Sequence, residues 1–263
     1  MVTRLTCTLL LLLLVAAKPA TRPIPDAAVW APAIAEFERQ DIANPSEPGG
    51  TVFVGSSSIL LWHTLADDLP YLKPIQRGFG GSCLSDVRYY LDTLVIKHKP
   101  ARVIIYAGAN DIAGGRPADE TFTDMLQIAR RLKKELPDTE LYIMGLKPAP
   151  VRRGSWEEFQ KFNKFARQLA KEFKRVTYID NWDDMFDKDG KVNMDLFAAD
   201  KLHLSEKGYA HWTKKIRKVI PEEEIAKESK RRKKKSTPDE APPGEESTDA
   251  APAPSTQESE PSN

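Results

Sequence analysis

Cysteine and histidine are both scarce in this chain, with two of the first and four of the second in 263 residues. Cys7 lies in the N-terminal leader-like segment, so removal of that segment leaves Cys83 alone and no intramolecular disulfide can form. Stability must then come from packing, and a lone Cys83 reads as a small buried hydrophobe. The histidines (His63, His98, His203, His211) offer no H-E-x-x-H or other zinc spacing, so no metal and no other cofactor is expected. Excess charge of one sign is missing as well. At a formal +1, bulk charge favours neither nucleic acid nor an acidic polymer as partner.

Long apolar runs are limited to one, residues 9–17. It is shorter than the roughly 20 residues a bilayer span needs, so no stable membrane span is expected. Arg4 before it and Val15-Ala16-Ala17 at its end fit a secretory leader, with residues 1–17 removed and the protein exported to the periplasm or beyond the cell. The other terminus lacks periodic apolar residues. From 222 to 263 a dense basic cluster is followed by a Pro-, Ser- and Glu-rich stretch, and such a segment buries too little surface to offset chain entropy. It is expected to be a disordered charged tail with no partner that its composition identifies.

Between these ends the pattern alternates. Residues 18–50 form a Pro- and Ala-rich extension with a short helix expected over 33–40, started by Pro32. From Thr51, β-branched or apolar runs at 51–54, 74–77, 102–106, 140–145 and 176–179 read as strands. Helices are expected over 84–97, around Phe122 to Leu132, along the stripe Phe159, Phe162, Phe165, Ala166, Leu169 and Phe173, and over 205–219 with Ser205 as N-cap. Strands alternating with helices argue for βαβ units and a largely parallel, doubly wound sheet. The domain is placed at 51–221, with a start as early as Val29. In such sheets functional residues gather beyond the carboxyl ends of the strands.

Those ends are polar in this chain. Gly55-Ser56-Ser57-Ser58 follows the first strand, Gly78-Phe79-Gly80-Gly81-Ser82 the second, and Gly108-Ala109-Asn110-Asp111 the third. Asp200 and His203 follow the last. A serine at a strand-to-helix turn can project its hydroxyl, glycines let backbone N–H groups approach a ligand, and an asparagine side chain can donate to a developing oxyanion. A carboxylate three residues before an imidazole can hold one ring N–H and leave the other nitrogen to act as a base. His63 leads away from the serine turn, His98 reads as a solvated residue in a Lys-His-Lys helix end, and His211 has no carboxylate at a useful spacing. A phosphate-binding reading of Gly55 to Ser58 lacks the lysine of the Walker spacing.

The ordered set resembles the SGNH hydrolase family, the GDSL-type esterases and lipases, over most of residues 51–212. Ser57 matches the nucleophile of the first block, Gly81 the glycine of the second, Asn110 the asparagine of the third and His203 the histidine of the last, with Asp200 three residues before it. The resemblance implies a three-layer α/β/α flavodoxin-like fold with five mostly parallel strands. It also implies a triad of Ser57, Asp200 and His203, with an oxyanion hole from Ser57, Gly81 and Asn110. The implied reaction is hydrolysis of a carboxylic ester through an acyl-enzyme. A carbohydrate O-acetyl or other short-chain acyl ester is the expected small-molecule or glycan substrate, against a lipid or thioester hydrolase or a catalytically silent binding domain. The chain departs from the family at Ser56, where the motif carries aspartate, which raises Ser58 as a rival hydroxyl; Ser57 is the expected nucleophile, because it keeps the two-residue offset from Gly55.

Overall fold

The computed structural model describes residues 27–236. The expected leader, and the part of the expected tail beyond Ser236, lie outside them. Five strands form one sheet: β1 (Thr51–Gly55), β2 (Pro74–Gly78), β3 (Arg102–Tyr106), β4 (Glu140–Met144) and β5 (Val176–Ile179). All neighbouring pairs are parallel, and their spatial order is β2-β1-β3-β4-β5. This is the flavodoxin-like order, with its switch point between β1 and β3. The expected fold is the observed one.

Every residue of β1 and of β3 is buried, as parallel strands covered on both faces should be. Phe53 pairs with Ile104 and Gly55 with Tyr106, so Phe53 and Tyr106 share one face of the sheet. Helix α9 (Glu206–Val219) meets that face through Trp212, whose ring lies 4.8 Å from Tyr106, while Phe53 packs at 6.0 Å on Trp62, just ahead of α3 (Leu65–Asp68). Elsewhere α7 (Ala118–Glu135) and α8 (Trp156–Glu172) join through Phe122 and Phe162 at 5.6 Å. Phe159, Phe162, Ala166 and Leu169 are fully buried, so the phenylalanine stripe is core. Ser205 caps α9 by accepting the Gly208 N–H at 3.2 Å.

Three local expectations differ from the structure. Helix α1 spans Ala27–Ala43, with Pro32 inside it and not at its start. Ile34 and Phe37 are buried, and Trp30 and Ala33 pack beside them, so this helix belongs to the domain. The helix expected over 84–97 is broken into α4 (Leu84–Tyr89), α5 (Leu91–Leu94) and a 3-10 turn, Ile96–His98. Thr93, Val95 and Ile96 crowd β-branched side chains there, and Lys99 turns left-handed (φ 45°) before Pro100. Finally, the chain from Glu222 to Ser236 is helical (α10) where irregular chain was expected. Glu222, Glu223 and Glu224 occupy its first turn, where negative charge suits the helix dipole, and strong helix formers follow. Among the described residues no helix is long and apolar enough to cross a membrane.

Candidate active site

The carboxyl end of β1 turns sharply. Gly55 sits at φ 148°, and a Cβ there would lie 2.0 Å from the Tyr106 carbonyl oxygen, so the turn admits only glycine. The Ser56 N–H donates to that carbonyl (3.1 Å), and the Ser56 carbonyl accepts from Ile59 and Leu60, opening the single-turn helix α2 (Ser57–Leu60). Ser57 is its first residue. The side chain of Ser56 makes no capping bond.

Ser57 Oγ lies 2.9 Å from His203 Nε2, and His203 Nδ1 lies 2.6 Å from Asp200 Oδ2. The pair is not built on a helical turn. Lys201 is left-handed (φ 56°), and the Ala198 N–H donates to the His203 carbonyl, so residues 198–203 close as a tight loop. In that loop Asp200 Oδ1 accepts the backbone N–H groups of Leu202 and His203, each at 2.9 Å. Those bonds, with a smaller contribution from the imidazole, hold the Asp200 carboxyl down at about 2. Its charge is secure, and Nδ1–H is its partner.

Ser58 is excluded from the role left open for it. It is buried, its Oγ accepts from Lys147 Nζ at 2.9 Å, and its carbonyl accepts from Tyr209 Oη at 3.1 Å. Ser57 is the hydroxyl that faces the imidazole.

Asn110 lies in the second position of α6 (Ala109–Ala113), after β3. Its Oδ1 accepts from Arg152 Nη2 at 2.7 Å and its Nδ2 donates to the Ser82 carbonyl at 2.9 Å. Because a guanidinium can only donate, this pairing fixes which end of the amide is oxygen. Among the described residues the second Nδ2 proton meets no acceptor. Gly81 occupies the loop after β2 at φ 81°, next to Ser82, whose hydroxyl donates to the Gly55 carbonyl at 3.3 Å. The first three polar loops are thus tied to one another, and Ser57, Asn110 and His203 line one cavity of ≈ 20 Å³, room for a single water.

Two residues of this cavity were not anticipated. Lys147 is 3 % exposed, donates also to Tyr106 Oη (3.1 Å), and lies 4.8 Å from the Tyr106 ring and 5.9 Å from that of Trp212. Arg152 is half-buried, and burial pulls its pKa below the ordinary value. Both follow β4, the one strand end before the last loop whose sequence carries no glycine–polar cluster beyond Gly145. Position beyond a strand's carboxyl end was the signal that could have found them.

The other histidines are placed apart. His63 is exposed. His98, expected to be solvated, is buried, with Nδ1 2.9 Å from Ser46 Oγ; burial, against the pull of Asp41, takes it down to about 4. His211 does have a carboxylate, Asp184, at 3.3 Å, supplied from 27 residues upstream and invisible to local spacing. Cys83 is buried, as expected.

A hydroxyl, an imidazole and a carboxylate in one hydrogen-bonded line, at the carboxyl end of a parallel sheet, define a hydrolase site of the serine type. The family model described as GDSL-like Lipase/Acylhydrolase matches residues 50–211, and the chain belongs to that family; it is a carboxylic ester hydrolase. No curated protein matches it in sequence. Among solved structures, it resembles a GDSL-like lipase from Bacteroides thetaiotaomicron at 24% identity and a TM-score of 0.61, over 71% of this chain and 98% of the other. An acylhydrolase by assignment from Bacteroides fragilis aligns at 22% identity and 0.63, covering 71% and 94%. A family 3 carbohydrate esterase of Clostridium thermocellum aligns at 16% and 0.54, covering 65% and 94%. At these identities the structural likeness concerns the fold.

Proposed function

We propose that the protein cleaves short-chain acyl esters, foremost O-acetyl esters of carbohydrates, through an acyl-enzyme on Ser57, and that it does so after export. The observation that carries this reading is the unbroken line Ser57 Oγ, His203 Nε2, His203 Nδ1, Asp200 Oδ2. His203 Nε2 takes the Ser57 proton as Oγ attacks the ester carbonyl, and ionised Asp200 stabilises the imidazolium. The backbone N–H groups of Ser57 and Gly81 and the unengaged Nδ2 proton of Asn110 receive the oxyanion. The imidazolium then protonates the leaving alkoxide, and water repeats the sequence to release the acid. The architecture shared with the Clostridium thermocellum carbohydrate esterase is compatible with a sugar as the alcohol.

Two measurements test this. A fluorophosphonate should label the wild type and leave Ser57→Ala unlabelled. An ester panel from acetyl to long-chain acyl should show turnover falling with chain length and abolished in Ser57→Ala. Absence of labelling would establish a silent binding domain, and preference for long acyl chains a lipid hydrolase.

A further inference from the structure

The guanidinium of Arg152 is anomalous among the shielded arginines of this protein. Arg77 pairs with Asp41, Arg102 with Glu140, and Arg116 with Asp111 and Asp124. Arg152 pairs with no carboxylate among the described residues, although burial already disfavours its charge. Its recorded hydrogen bond uses one of five N–H donors, on a neutral amide oxygen. Lys147, the other cation of the cavity, is differently placed: two oxygens and two aromatic faces surround its ammonium. A half-buried guanidinium with no carboxylate beside it among the described residues thus borders the same cavity as Ser57 and His203.

The surroundings reinforce the sign. Arg152 interrupts the 3-10 segment Pro150–Ser155 with non-helical backbone (φ −107°, ψ 24°). The next residue, Arg153, stands over the Trp156 ring at 5.5 Å and lines an adjoining groove of ≈ 560 Å³ with Trp156, Phe186 and Lys191. Asp187 also lines that groove, with one carboxylate oxygen held by the N–H groups of Asp189 and Lys191. Among the described residues neither Arg153 nor Lys191 pairs with a carboxylate. One short segment thus presents one arginine to the ester cavity and the next to an aromatic groove.

We propose that Arg152 is a specificity residue that binds a carboxylate on the substrate, and that the protein acts on esters of acidic sugars. This rests on the ester-hydrolase reading of Ser57 given above. The carboxylate belongs to the alcohol part, because the acyl group of that reading is acetyl. A planar guanidinium suits a carboxylate through two parallel N–H···O bonds.

The test compares O-acetyl glucuronic acid with its methyl ester, which has the same ring without the charge, and uses 4-nitrophenyl acetate as a baseline. In the wild type, kcat/KM for the acid should exceed that for the methyl ester by about 10- to 100-fold, chiefly through KM. In Arg152→Gln that ratio should fall to near one, and Arg152→Lys should restore part of it. Hydrolysis of both sugar esters at equal kcat/KM by the wild type overturns the proposal and leaves the esterase reading intact. So does an Arg152→Gln that lowers kcat equally on both with KM unchanged, which would make Arg152 only a support for Asn110. Failure to hydrolyse 4-nitrophenyl acetate would remove both readings.

Discussion

Asn110 shows how much a single amide can carry when its two ends are assigned. Arg152 holds the oxygen and the Ser82 carbonyl takes one proton, so the remaining proton is oriented before any substrate arrives. In the proposed mechanism this proton is an oxyanion donor, and removing one such donor typically raises the barrier by about 2.7–4 kcal/mol. Asn110→Ala should therefore lower kcat by roughly 100- to 1000-fold, with KM and melting temperature little changed. Steady-state kinetics and a thermal melt check it; an unchanged kcat would remove Asn110 from the mechanism. That Asp200, His203 and Asn110 come together was legible in the sequence because loops at the ends of successive strands converge in a parallel sheet. Ser57 was legible by its two-residue offset from Gly55, and the structure adds that Lys147 occupies the neighbouring Ser58 hydroxyl. Lys147 and Arg152 were missed because each acts on residues 40 or more positions away.

At the scale of elements, short segments answer to burial more than to propensity. Helix α6 has five residues, and its Asp111 is 1 % exposed, accepting the Leu84 N–H at 3.0 Å with Arg116 beside it. Burial outweighs both and pushes this carboxyl up to about 6 from an ordinary 3.8. The folded protein therefore keeps a proton that the unfolded chain loses between roughly pH 4 and 6. The stability it contributes is complete below the unfolded value and lost as pH rises through the folded one. Asp111→Asn cannot ionise, and its amide oxygen can still accept from Leu84. The stability of the variant relative to wild type should rise from pH 4 to pH 7 by on the order of 2–3 kcal/mol. Urea unfolding at both pH values measures this, and a pH-independent difference would show that Asp111 titrates as an ordinary carboxylate. The strands were legible almost to the residue: β1 and β3 are short β-branched or apolar runs buried throughout, while the half-buried β2 gave the weakest pattern. The helix over 84–97 was not, because β-branched crowding and Lys99 break it locally. The helix over Glu222–Ser236 was obscured by reading charge as disorder, where the order of the charges favours a helix.

For the domain formed by the described residues up to Ile225, the boundary matters most. Motif blocks place its start at Thr51, yet Trp30, Ala33, Ile34 and Phe37 of α1 recur at helical spacing and pack against the core. Trp30 meets Phe79 edge-on at 5.2 Å, and its ring lies 3.6 Å from where a Gly81 Cβ would be. Phe37 lies instead under Arg77, whose guanidinium is 5.1 Å from its ring. Both residues stabilise the domain, but only Trp30 abuts the loop that presents the Gly81 N–H. Phe37→Ala should cost about 3–5 kcal/mol, lowering the melting temperature with little change in kcat under conditions where it remains folded. Trp30→Ala removes a half-buried ring, so its cost should be smaller, about 1–3 kcal/mol, whereas kcat should fall because the loop from Phe79 to Gly81 loses its backing. Paired melts and acetyl-ester kinetics on the two variants separate these effects. If Trp30→Ala keeps full kcat, α1 stabilises the domain without shaping its site. If it loses kcat while Phe37→Ala does not, the helix ahead of the motif blocks is part of the apparatus that holds the oxyanion donors in place.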